Sequence, residues 1–149
     1  MENKFIITLI IGFGVLQYSK NQNTFVKVVF GGQLLALFFR FFDNLEFHVF
    51  SFYTMFGMAL LMLTYSIWNK QYTKQKRGVL MVILLPFLIQ NFYAFQHYPY
   101  QSQIAVLLVI PVISWMYIVL AKRSEYKVEL PVVSIFASLA LLQTVSFYF

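Results

Sequence analysis

The stretch RFFDNLEFH carries Arg40, Asp43, Glu46 and His48, a mixture of groups able to hold an anion, pair with a cation or move a proton. With His97 in QHYPYQSQ they form a candidate polar cluster: either histidine is a potential general base, and the Arg40 fork suits a phosphate or carboxylate. Arg40 and Asp43 stand three apart at a helix end, where pairing lowers the cost of holding Arg40 at an apolar boundary. A metal centre needs ligands in strict geometry, and no H-E-x-x-H, H-x-x-E-H or comparable spacing occurs, so no metal is expected. The chain has no cysteine, which excludes disulfides, thiolate metal sites, iron–sulfur clusters and a cysteine nucleophile. Ser51 and Ser102 lie in no G-x-S-x-G turn and read as loop hydroxyls. No glycine-rich phosphate loop stands beside a lysine, so no cofactor is expected either. These residues offer no recognisable active site.

A second set is neutral and lies inside apolar sequence: Gln33, Gln90, Asn91 and Gln143, accompanied by Thr64, Ser114, Ser134, Ser138 and Thr144. Amides in such surroundings either bridge helices or line a lumen. Pro86 and Pro111 fall in the middle of apolar runs, where each removes a backbone donor and frees a carbonyl one turn earlier, so helix breaks are expected there. Small residues such as Gly57 and Ala59, and the Ser134-x-x-x-Ser138 pair, permit close helix approach.

The elements that must position these residues follow from composition. Of 149 residues, 60% are hydrophobic, 20% aromatic and only 11% charged, with a mean hydropathy of +0.72. A soluble domain covers its surface with about 25% charged residues, so this chain is one that lipid solvates. Six apolar segments are bounded by polar clusters, at about 5–18, 25–42, 49–68, 78–95, 104–121 and 130–149. Runs of about 18 to 20 residues reach roughly 27 to 30 Å as helix, matching a bilayer core. The first segment is short, so it either borrows flanking residues or is re-entrant. Strands are a poor alternative, because VLMVILLPFLI and AVLLVIPVI lack the polar alternation of a membrane barrel. The expectation is an all-α bundle of six spans forming one membrane domain over residues 1–149, with short loops and antiparallel neighbours. No A-x-A-like cleavage site follows the first segment, which is therefore expected to stay with the mature chain.

Basic residues orient the bundle. Nine of the eleven Lys and Arg fall in or beside the first, third and fifth loops, including NKQYTKQKR and Lys122, Arg123 and Lys127. Those loops are expected on the cytoplasmic side and both termini outside, with a bacterial inner membrane as the setting. The same cations suit anionic lipid headgroups, whereas a loop tethered at a membrane is too short to read nucleic acid. The expected partners are the bilayer and other membrane proteins or further copies of the chain. The absence of charges at mid-depth argues against a proton-coupled carrier. The leading functional expectation is a non-catalytic subunit or accessory factor of a larger membrane assembly. The alternatives are a small oligomeric transporter or channel for a neutral or lipophilic solute, and an outer-face enzyme acting on a lipid-linked substrate.

Overall fold

The computed structural model describes residues 8, 11, 23–42, 44–95 and 101–148, and among these the ordered elements are helices without a strand. Three of the helices start where a side chain satisfies an orphan N–H group of the first turn. Helix α1 (Thr24–Phe39) begins at Asn23, whose Oδ1 accepts from the Val26 N–H at 3.1 Å. Helix α2 (Leu45–Trp68) begins at Asn44, whose Oδ1 accepts from the Glu46 N–H at 2.9 Å. Helix α3 (Lys74–Phe95) begins at Thr73, whose hydroxyl accepts from the Lys76 N–H at 3.1 Å. The short α4 (Gln101–Ala105) passes through a 3₁₀ turn (Val106–Leu108) into α5 (Val109–Ala121), and α6 (Leu130–Tyr148) follows the last turn.

Three helices, Leu45–Trp68, Lys74–Ala94 and Gln103–Ala121, are long and apolar enough to cross a membrane, and Thr24–Phe39 and Leu130–Val145 are shorter apolar helices. The helices α2 and α3 start before the apolar runs expected at 49 and 78, because a capped first turn accepts charged residues that a hydropathy reading cuts away. The first expected segment, 5–18, lies outside the described residues except for Thr8 and Ile11, both helical; Ile11 packs against the core.

The two prolines behave differently. Helix α3 continues through Pro86. Ahead of Pro111 the backbone tightens, and the Val109 N–H bonds the Val106 carbonyl three residues back. The physical reason is local, since a proline ring crowds the carbonyl four residues earlier and leaves it without an α-helical donor.

Consecutive long helices pack as neighbours, and α6 returns to lie against α1 and α3 as well as α5. Helix α3 is the centre: Leu80, Ile83, Leu84 and Phe87 are fully buried, facing Val132, Val133 and Phe136 of α6. The Phe87 and Phe136 rings lie 5.0 Å apart. On the outside, large apolar side chains point away from the bundle on every long helix, among them Val28, Tyr53, Ile113 and Leu120.

Close approach of α1 and α2 depends on Gly32, where a Cβ would lie 2.5 Å from the Met58 Cε and 2.6 Å from its sulfur. The sequence reading placed that role on Gly57 and Ala59. Ala59 is fully buried, but a Cβ at Gly57 meets nothing within 4 Å, so Gly57 faces open space. Gly57→Ala is therefore expected to stabilise the fold by about 0.5 to 1 kcal/mol through helix propensity alone. Gly32→Leu should cost about 1 to 3 kcal/mol through overpacking. Thermal melting of the detergent-solubilised variants checks both signs.

Candidate functional site

Two polar constellations lie at opposite ends of the bundle. At the end where α1 leads into α2, the expected cluster divides. Arg40 follows α1, and its half-buried side chain points into the bundle, beside Ser51 of α2, Asn91 of α3 and Gln143 of α6. Glu46 and His48 are exposed on the first turn of α2, where the Glu46 carboxylate favours the helix dipole. Asp43 and His97 lie outside the described residues, so the Arg40–Asp43 pair and the approach of the two histidines are not part of this geometry. Among the described residues no group of three or more His, Asp or Glu is placed to hold a metal.

The space around Arg40 is narrow, with a volume of about 10 Å³, room for about one water. Its walls are held by a chain of amides and hydroxyls. Asn91 Nδ2 donates to the Phe87 carbonyl at 2.7 Å, and Gln143 Nε2 reaches Asn91 Oδ1 at 3.4 Å. Ser51, expected in a loop, is instead a buried helical residue whose hydroxyl donates to the Ala36 carbonyl at 2.6 Å, tying α2 to α1. The structure therefore joins Asn91 and Gln143, from the neutral set, to Arg40, from the charged one. Gln33 and Gln90 line no part of this space. Gln33 donates to the Val132 carbonyl at 3.3 Å, bridging α1 and α6, while both amide atoms of Gln90 are buried without a partner among the described residues.

At the other end lies a constellation that the sequence reading missed. Glu129, just ahead of α6, is 1% exposed, and two neighbours meet its carboxyl group. The Tyr72 hydroxyl donates to Oε1, and Lys76 Nζ stands 2.9 Å from Oε2, as a charge contact rather than an aligned hydrogen bond. Lys76 also donates to the Glu125 carbonyl at 2.9 Å and lies over the rings of Tyr72 and Tyr126, 4.5 and 5.4 Å from their centroids. Two π faces and two oxygens together compensate a largely desolvated ammonium.

The network continues across the bundle. Tyr72 meets Tyr65 edge to face at 5.7 Å, Tyr65 stacks on Phe25 at 4.3 Å, and Asn23 Nδ2 donates to the Tyr65 hydroxyl at 2.9 Å. Arg77 donates to the Asn69 carbonyl at 2.9 Å, placing a cation at the C-terminus of α2 where the dipole favours it. One signal for this cluster is present in the sequence: Glu125 and Glu129 are two of only five acids, and they sit in a loop with Lys122, Arg123 and Lys127. Contact between positions 72 and 129 needs the folded bundle and has no local pattern.

Burial, the Glu129 hydrogen bond and the Glu129 charge hold the Tyr72 phenol well above its ordinary range, and burial followed by the charge of Glu125 pushes Tyr126 up to about 12. Both phenols thus keep their protons in the fold at a pH where an unfolded chain has released them. Their contribution to stability is complete below about pH 10, the ordinary tyrosine value; that of Tyr126 is lost as the pH rises through about 12, and that of Tyr72 only at higher pH. An alkaline titration following phenolate absorbance should show two late-titrating tyrosines, with Tyr72→Phe and Tyr126→Phe each removing one.

Comparisons with protein-family models, with curated proteins and with solved structures return no match for this chain.

Proposed function

We propose that this protein is a six-span subunit of a larger membrane assembly, non-catalytic, with its basic loops on the cytoplasmic side of a bacterial inner membrane. The observation that carries the reading is where the polar groups go. Gln33, Ser51, Asn91, Gln143 and Trp115 bond to carbonyls or side chains of this same bundle, and the narrow space that Ser51, Asn91 and Gln143 leave beside Arg40 has room for about one water. An interior committed to its own packing directs interaction to the lateral faces. The clearest such face is on α5, where Ile113 is 61% and Leu120 80% exposed.

A photo-crosslinking residue at Ile113 or Leu120 should join the protein in its native membrane to one unlike membrane protein in high yield. Crosslinks to lipid alone would contradict the proposal. Orientation is separately testable because the chain has no cysteine of its own. A single cysteine at Arg123 should label only after the membrane is permeabilised, and one at Glu46 should label from outside.

One observation favours the transport reading as a second possibility: the Gln90 amide is buried with neither its oxygen nor its nitrogen paired among the described residues, a group suited to hydrogen-bonding a neutral solute. Flux into liposomes that disappears in Gln90→Leu would favour it over the subunit role.

A further inference from the structure

An open groove of about 600 Å³ runs between α1 and α2 at the basic-loop end. It is lined by the stacked Phe25 and Tyr65 rings, by the exposed Leu61, and by Trp68, Asn69 and Lys70 where α2 ends. We infer that this groove holds one anionic phospholipid from the adjoining leaflet, with an acyl chain along Leu61 and Phe25 and the phosphate at Lys70 and Asn69.

Charge complementarity selects that occupant. No acid lines the groove, and Lys70 is exposed and forms no ion pair among the described residues, whereas Lys76 and Lys122 are paired with Glu129 and Glu125. A basic mouth above an apolar cleft between helices is the arrangement that recognises anionic headgroups. Phe25 and Tyr65 are stacked at 4.3 Å, and Asn23 holds the Tyr65 hydroxyl, so the two rings present one fixed aromatic surface against which a chain can lie. Trp68, 78% exposed beside the mouth, belongs to the residue type that prefers the headgroup boundary.

Trp68 also supplies the test. In a Trp115→Phe background it is the sole tryptophan, so quenching by lipid with brominated acyl chains reports what lies next to it. The full chain is placed in phosphatidylcholine vesicles in which a small fraction of either phosphatidylglycerol or phosphatidylcholine is brominated. Brominated phosphatidylglycerol should quench as though enriched about fivefold over its bulk fraction, the enrichment expected from one cation, and Lys70→Gln should return it to the bulk value. Equal quenching by both lipids, or enrichment untouched by Lys70→Gln, overturns the inference. So does the absence of quenching by either, which would mean that a protein segment fills the groove. Lys70 is exposed, so its replacement leaves the fold intact.

Discussion

Lys76→Met destabilises the folded protein by about 3 to 5 kcal/mol, and adding Glu129→Leu restores most of that loss, since removing one partner of a buried pair leaves the other charge uncompensated. The side chains of Lys76 and Glu129 are 17% and 2% exposed, so water cannot take the place of the missing ammonium at the carboxylate. Tyr72 still donates to Glu129 in the single variant, but one neutral donor does not replace a cation. In the double variant the charge is gone; the buried Tyr72 hydroxyl has lost its partner, at a cost of about 1 to 2 kcal/mol, and the Glu125 carbonyl, which loses the Lys76 donor, lies where water can replace it. Thermal melting in detergent should fall by roughly 10 °C for the single variant and by only a few degrees for the double one. Equal melting of the single variant and the parent would mean that the network does not hold this end of the bundle together.

Phe87→Ala is expected to cost about 2 kcal/mol, less than the 3 to 5 kcal/mol usual for such a change in a soluble core. The difference comes from the solvent. In a soluble protein the loss combines transfer from water with the energy of the cavity; between membrane helices lipid is as apolar as the ring, and the cavity part remains. A void of roughly 80 to 100 Å³ at about 24 cal/mol per Å³ gives that figure. Phe87 is 1% exposed and rests on Phe136 at 5.0 Å, so the neighbouring helices cannot close the gap without separating. Leu120→Ala, at a position 80% exposed, should leave stability nearly unchanged. Denaturation of the two variants in the same micelles gives the comparison, and a larger loss at Leu120 than at Phe87 would contradict the described core.

The helices were legible in the sequence because apolar runs and polar punctuation are local. The runs expected from 25, 49, 78, 104 and 130 have helices at the same places, and the errors are confined to the ends. The early starts of α2 and α3 have one cause: Asn44 and Thr73 cap helices whose first turns contain Glu46, Lys74 and Lys76, residues that a hydropathy reading assigns to loops. Of the amides that stand out in apolar sequence, Asn91 and Gln143 meet, whereas Gln33 and Gln90 lie elsewhere. Their company was not legible. That Arg40 turns inward while Glu46 and His48 stay exposed depends on how α1 ends against α2, α3 and α6, which no spacing encodes. Glu129 was overlooked because it precedes an apolar run and belongs, by local pattern, to a basic loop. Its importance arises from Tyr72 and Lys76, more than fifty positions earlier in the chain.

The subunit proposal meets its most direct test in native mass spectrometry of the protein extracted gently from its own membrane without overexpression. The account predicts one mass, corresponding to this chain in fixed ratio with unlike membrane proteins. A monomer or a homo-oligomer as the sole species would contradict it and move the function to the interior, to Gln90, Asn91 and the space beside Arg40.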